Sequence, residues 1–347
     1  MTQSLVLVTG GAGFLGINLC RHLLQRGYRV RSMDIAPFDY PERAAVDIRQ
    51  SDIRDRTAVA HALQDVSFVV HCAAALPRAA PSEIFSTNVA GTTVLLESAA
   101  ACGIARFVFI SSTAVYGIPD HHPIVESDPL RGVGPYGESK IQAEQACERF
   151  RQRNLCIPIL RPKTFVGPER LGAFELLYRW AYEGRGFPVL GSGDNPYQLL
   201  DVADLCEVIS RCLEADASIV NRTFNVGAAI FTSMRANFQA VLDRAGHGAR
   251  VVCLPRVPAV WTLRALNRMH LSPLYPWIYE TASRESFVSI EALRTGLDFV
   301  PRHSNLDALV RNYDWYVAHR NDYRFVRGVT HRVPWRHGAL ALAKLFF

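Results

Sequence analysis

The chain has 347 residues, of which 49% are apolar, 20% charged and 10% aromatic, a composition that excludes a disordered or fibrous protein and supplies a large core. At roughly 150 residues per domain this length suits one large domain or two modest ones. The formal charge of +6 is concentrated at the end, where Arg324, Arg327, Arg332, Arg336 and Lys344 follow Tyr323 with no acidic residue. The main body is therefore nearly balanced and offers no broad polyanion-binding face, so no nucleic-acid partner is expected.

Apolar runs such as 107–110 and 339–342 are far shorter than the ~20 residues of a spanning helix. The opening MTQSLVLVTGG has no basic region and runs straight into a glycine turn, so a secretory leader is not expected. Eight scattered cysteines without a CxxC pair read as reduced core thiols, and eleven histidines without HExxH predict no metal site. The expected compartment is the cytoplasm.

In chain order, residues 5–10 predict a buried strand, 14–26 a helix closed by Gly27, and 28–34 a second strand. A helix at 56–63, a strand at 68–72, a long helix around 83–102 and a strand at 106–111 follow. The next helix begins near Tyr136 and runs to about Arg153, leading into a strand at 156–160. This alternation predicts an α/β fold, a doubly wound parallel sheet of Rossmann type covered on both faces. Beyond Pro168 the rhythm loosens, with helices near 174–183, 205–215 and 232–245. The expected domains are 1–168 for the dinucleotide, 169–322 mainly for substrate with segments returning to the first core, and 323–347 as a basic, apolar tail.

Residues 9–16, TGGAGFLG, place Gly10, Gly11, Gly13 and Gly16 between a predicted strand and a predicted helix. There, glycines let the backbone approach a pyrophosphate at the positive end of the helix. The second strand ends in Asp34, 18 residues after Gly16, where an acid accepts hydrogen bonds from a ribose diol and repels a 2′-phosphate. The expected cofactor is NAD, with Arg31 the one nearby feature that would tolerate NADP.

A second motif opens the later helix: Tyr136-Gly-Glu-Ser-Lys140. Residues four apart share a helix face. One ammonium at ~4 Å in an effective dielectric of ~20 favours a phenolate by about 4 kcal/mol, or roughly three pKa units, enough to make a usable base near neutrality. Upstream, Ser111-Ser112-Thr113-Ala-Val-Tyr116-Gly117 follows a strand and brings hydroxyls to the carboxyl edge of the sheet.

Together these motifs resemble the extended short-chain dehydrogenase/reductases of the NAD-dependent epimerase/dehydratase type, with some features similar to 3β-hydroxysteroid dehydrogenases. The resemblance spans about residues 4–320. TGGAGFLG, with Gly10, Gly13, Phe14, Leu15 and Gly16, resembles the family's dinucleotide loop; Asp52-Ile53 resembles its adenine contact; and His71-Cys72-Ala73-Ala74 resembles the segment lining the cofactor. Asn88 resembles the active-site asparagine, Ser112, Tyr136 and Lys140 the catalytic triad, Arg161-Pro162 and Val166-Gly167-Pro168 the segment beside the nicotinamide, and Asn225-Val-Gly227 a later core signature. The resemblance implies hydride transfer at a secondary alcohol or ketone, with Tyr136 as base, Ser112 polarising the oxygen and Lys140 holding the nicotinamide ribose. It also implies a homodimer formed through the helices near 83–102 and 136–153.

Similar dehydratases carry an Asp-Glu pair after the serine and similar decarboxylases a glutamate, whereas this chain has Thr113 and Ala114. That disfavours dehydration and decarboxylation, and leaves epimerisation or dehydrogenation. Nucleotide-sugar relatives carry an arginine about where Tyr197 stands in GSGDNPYQLLDVADL, so a diphosphate would have to meet Lys163, Arg170 or Arg179. Thr113, Lys163, Thr164 and Tyr197 are the substrate candidates.

The leading expectation is a small nucleotide-linked sugar as substrate. The alternative is a sterol, hopanoid or other lipid, suggested by the apolar, aromatic stretch 255–277, which reads equally as core or as a subunit contact. A non-catalytic NAD sensor is a third reading. The tail from Trp335, cationic and apolar, suits an anionic membrane surface, a mobile end, or docking on a subunit.

Overall fold

The computed structural model describes residues 4–269, 279 and 282–321. The basic tail 323–347 and part of the apolar stretch, 270–277, lie outside the described residues. Two compact units are present. The first comprises Met1–Lys163, Val202–Gly227 and Val288–Val300; the second comprises Thr164–Asp201, Ala228–Phe287 and the chain from Pro301 on, each as far as it is described.

In the first unit β1 (Leu5–Thr9) is buried along its whole length, as expected of a strand covered on both faces. It leads through the glycine loop into α1 (Phe14–Gln25), then β2 (Arg29–Asp34), β3 (Val46–Gln50) and α2 (Arg56–Ala62), whose N-terminus Asp55 caps by accepting from the amides of Thr57 and Ala58. β4 (Phe68–His71), α3 (Pro81–Phe85), α4 (Thr92–Ala101), β5 (Arg106–Ile110), α5 (Gly134–Arg151) and β6 (Ile159–Pro162) follow.

Seven parallel strands run in the order β10-β6-β5-β4-β1-β2-β3, with β10 at Thr223–Val226. The order reverses at β1, and ligands of such sheets collect beyond the carboxyl ends of the strands at that switch point. One face carries α2, α4 and α5; on the other, α1 packs against α7 (Val202–Glu214).

The expected helix at 83–102 is present and unbroken from Pro81 to Ala101, with a π-helical turn, Ser86–Gly91, between α3 and α4. β3 escapes the hydropathy pattern because it is an edge strand, VDIRQ, whose polar half faces out. The helix expected near Tyr136 starts at Gly134, which puts Tyr136 in its first turn.

The second unit holds two small parallel pairs. In one, β7 (Phe165–Val166) pairs with β9 (Leu200–Asp201); in the other, β8 (Phe187–Leu190) pairs with β11 (Val251–Leu254). Among the described residues its helices include α6 (Phe174–Tyr182), α9 (Met234–Ala245), α10 (Arg256–Arg268) and α12 (Asn305–His319), while α8 (Ala217–Val220) and α11 (Glu291–Leu297) belong to the first unit. Leu177, Tyr178, Val241, Leu309 and Tyr313 form its core, and a Ser304–Asp307 capping box opens α12.

Candidate active site and dinucleotide cradle

Gly10 has a positive φ of 68°, and a Cβ there would lie 2.8 Å from the Ala73 backbone. A Cβ on Gly16 would come within 2.1 Å of the Gly10 carbonyl oxygen. Only hydrogen fits at either place, so the loop is pressed between the strap 72–74 and the first turn of α1, where Phe14, Leu15 and Gly16 are buried. The amides at that end of α1 form the anion site expected of such a loop.

Asp34, at the end of β2, accepts from Ala12 N at 3.0 Å and from Ala36 N at 2.8 Å. Burial raises its pKa, and the two amide bonds oppose that rise. The carboxylate is thus fastened to the glycine loop with lone pairs left for a diol. Arg31 does not offer the 2′-phosphate site it suggested. It leaves the same strand towards Asp47 (2.7 Å) and the carbonyls of Ala62 and Gln64 (2.8 and 2.7 Å), where it is buried as a structural cation.

Asp52 pairs with Arg54, whose hydrogen bonds lower its pKa. Ile53 is buried beneath Gly91, at which a Cβ would meet the Ile53 Cδ1 at 2.8 Å. The cradle therefore has the shape and donor set that NAD requires: close backbone approach, a helix N-terminus and a carboxylate at the second strand's end.

Beyond β5, Ser112 caps a 3₁₀ turn, Thr113–Tyr116, by accepting from Ala114 N at 3.1 Å. Thr113 Oγ1 donates to the Pro162 carbonyl at 3.4 Å, which ties the exits of β5 and β6 together. The start of α5 lies against this turn, since a Cβ on Gly137 would sit 3.0 Å from the Ala114 carbonyl. Lys140, one turn further along α5, donates to the Ile110 carbonyl at 2.9 Å and stands 5.1 Å from the centre of the Phe109 ring. Ser112, Tyr136 and Lys140 thus gather around the carboxyl end of β5, with Tyr136 half-buried.

Burial lowers the Lys140 pKa from 10.5 to about 8. It is an ammonium below that pH and neutral above it. Any step that uses its charge therefore weakens as pH rises through about 8, and the profile of kcat/KM against pH should show its falling limb there. A falling limb near the ordinary lysine value would contradict the buried placement of Lys140.

Two chains of hydrogen bonds that the motifs did not reveal hold these groups. Thr92 Oγ1 donates to the Asn88 carbonyl at 2.7 Å, so towards His71 Nε2, 2.9 Å away, it can only accept. The proton of His71 is thereby assigned to Nε2, and Nδ1 accepts from Thr9 Oγ1 at 2.7 Å. Burial first, and then the Lys140 charge, lower the His71 pKa to about 3, which keeps the ring neutral and its tautomer set.

From Asn88 a second chain continues: Nδ2 donates to Ser139 Oγ at 3.0 Å, and that hydroxyl donates to the Tyr136 carbonyl at 2.8 Å. Asn88 Oδ1 accepts from Ala75 N at 2.7 Å, and Nδ2 also donates to the Ala75 carbonyl at 3.2 Å. With both amide hydrogens given to the protein, Asn88 braces the strap and α5, and a direct amide donation to the cofactor is not part of its geometry. The π-helical turn is the kind of irregularity that often marks a functional site.

Beneath Ser112 lies a second buried network. Ser111 Oγ donates to Glu144; Arg161 forks onto Glu144 (2.6 Å at the closest) and donates to Tyr116 Oη at 2.8 Å; and Tyr116 Oη donates to Asn225 Oδ1 at 2.7 Å. Asn225 N in turn donates to Glu126 Oε1 at 2.7 Å, so Glu126 is a tied loop acid, while Glu138 is exposed on α5. Glu144 carried no motif; it stands one helical turn beyond Lys140 on α5, and only the tertiary fold brings it to Ser111 and Arg161.

The substrate candidates fare differently. Lys163 is buried at the end of the first unit, its pKa lowered to about 7 by desolvation. In the second unit, Thr164 is exposed and its carbonyl accepts from Leu200 N at 3.1 Å. The Tyr197 ring packs against that unit's core, and its carbonyl accepts from Asn237 and Asn305. That is a packing role for a side chain standing about where nucleotide-sugar relatives carry an arginine. Arg170 is buried against Phe165 and Phe174, and Arg179 pairs with Glu175 at 3.5 Å.

A dinucleotide cradle feeding a Ser-Tyr-Lys constellation on a parallel sheet defines an NAD-dependent enzyme of the extended short-chain dehydrogenase/reductase type. The model of the NAD-dependent epimerase/dehydratase family matches residues 6–227, and the chain belongs to that family. It is 34% identical over 340 residues to the uncharacterized protein y4nG of Sinorhizobium fredii, covering 97% of this chain and 84% of that one. It is also 27% identical over 359 residues to UDP-arabinose 4-epimerase 1 of Arabidopsis thaliana, covering 92% and 80%. Among solved structures, the UDP-glucuronic acid 4-epimerase of Bacillus cereus in complex with NAD superposes with a TM-score of 0.75 at 23% identity, covering 90% of this chain and 99% of that one.

Proposed function

We propose that the enzyme epimerises a secondary alcohol carbon of a nucleotide-linked sugar, with Tyr136 as general base, Ser112 as the donor to the reacting oxygen and Lys140 as the cation that favours the phenolate and holds the nicotinamide ribose. The observation that carries this reading is the turn after β5: Ser112 is followed by Thr113 and Ala114, and neither can move a proton as a carboxylate does. Glu126 is committed to an amide and Glu138 faces solvent. Elimination of water needs an acid and a base of suitable pKa beside the leaving group, whereas oxidation and re-reduction of one carbon need only the phenol.

Bound NAD supplies reversible hydride acceptance. Tyr136 takes the hydroxyl proton as the carbinol becomes a ketone, and returns it once the ketone has turned its other face. Ser112 holds the oxygen throughout. The nucleotide-sugar class is supported by relatives named as UDP-sugar 4-epimerases.

The test is incubation with a panel of UDP-sugars and, separately, sterols, following both isomer composition and NADH absorbance. Interconversion of a sugar and its epimer without net NADH is the expected result. Net NADH without a new isomer would make the enzyme a dehydrogenase, and turnover confined to sterols would replace the sugar reading.

A further inference from the structure

Trp is seldom left in water by a folded chain, yet Trp261 of α10 is 67% exposed, Val257 is 66% exposed, and Met269, one residue past the helix, is 56% exposed. At 100° per residue, Val257, Trp261, Ala265 and Met269 lie on one arc of about 120°, and Arg264 and Arg268 fall within about 20° of Val257 on the same side. Ala265, Arg264 and Arg268 are all exposed. Val260, about 60° from Val257 on the side away from Trp261 and Met269, is buried, and β11 ahead of the helix adds the exposed Val252. The outward face of α10 is thus apolar and cationic, the reverse of an ordinary surface helix.

Charge along this part of the chain is segregated as well. From Arg250 to Tyr279 there are four arginines, Arg250, Arg256, Arg264 and Arg268, and not one aspartate or glutamate. Such a surface discriminates among occupants. A second copy meeting it about a two-fold axis would set these arginines against their own counterparts. The chain's own tail, five basic residues without an acid beyond Tyr323, carries the same sign. An anionic bilayer fits both halves of the pattern, because headgroup phosphates meet guanidinium groups while Trp and Met sit at the boundary with the acyl chains.

We propose that α10 docks the enzyme on an anionic phospholipid surface through Trp261, Met269, Arg264 and Arg268. This inference does not depend on the sugar assignment. It is tested on the full chain by sedimentation with vesicles of phosphatidylcholine alone and of phosphatidylcholine mixed with phosphatidylglycerol. Salt-sensitive partitioning onto the mixed vesicles only is expected. It should fall by about ten-fold or more in Trp261→Glu and, separately, in Arg264→Glu/Arg268→Glu, with NAD binding unchanged in both.

The two variants are read independently, so that a folding failure in one leaves the other decisive. Absence of wild-type partitioning onto the mixed vesicles overturns the proposal. So does undiminished partitioning of the variants, which would move the contact to the tail. If Trp261→Glu converts an oligomer to a smaller species while partitioning is unchanged, a second copy covers this face and the proposal is likewise overturned.

Discussion

Tyr136→Phe is expected to lower kcat/KM by about 10²–10⁴-fold, the range in which a positioned acid or base contributes, while NAD affinity stays within a few-fold of wild type. The separation follows from the geometry. The cradle is built by Gly10, Gly16, Asp34 and the strap at 72–74, at the glycine loop and the end of β2, whereas Tyr136 opens α5. The Tyr136 backbone, by contrast, is held through its carbonyl by Ser139 and Asn88, and these bonds survive removal of the hydroxyl. Ligand titration by fluorescence and steady-state kinetics check the two halves. Undiminished turnover would remove Tyr136 as the base, and loss of NAD binding would show that its hydroxyl is part of the cradle.

Arg161→Met should destabilise the first unit by about 3–5 kcal/mol, because it strands a buried carboxylate. Arg161 and Glu144 are both nearly inaccessible, the guanidinium forks onto the carboxylate, and it also serves the Glu126 carbonyl and Tyr116. The double variant Arg161→Met/Glu144→Leu should recover more than half of that loss, since replacing both members of a buried pair is far less costly than breaking it. Ser111 then loses its acceptor, so catalytic efficiency, which on the proposed mechanism relies on the neighbouring Ser112, should stay low even where stability returns. Urea denaturation of the single and double variants, run beside kinetics, reads both quantities. A double variant as unstable as the single one would mean that shape, and not the stranded charge, governs the site.

Local rules carried much of this protein. The apolar run before TGGAGFLG, the glycines at 10 and 16 and the acid at 34 are legible because each obeys a short-range demand: a strand buried on both faces, a backbone that must lie close to a pyrophosphate, a carboxylate at the end of the second strand. The Tyr136–Lys140 spacing is legible because one helical turn is a local distance.

Other features depended on groups far apart in sequence. β3 is polar because it sits at an edge, and nothing in VDIRQ states where the edge is. The helix expected at 83–102 carries an unforeseen π-helical turn in which the Asn88 amide meets Ala75 and Ser139, 13 and 51 residues away. Arg31 looked free to meet a phosphate until β2 placed it against Asp47 and the carbonyls after α2.

By itself, then, the chain's order of residues determined the dinucleotide loop, the alternation of strands and helices, and the one-turn spacing of Tyr136 and Lys140 in the proposed trio, since those rest on interactions within a few residues. Only the tertiary structure decided which polar groups hold that trio: His71 with one tautomer, Asn88 as a brace, and Glu144 with Arg161 beneath Ser112. A buried polar group is stable only where its partner stands, and those partners come from separate strands and helices that folding brings together.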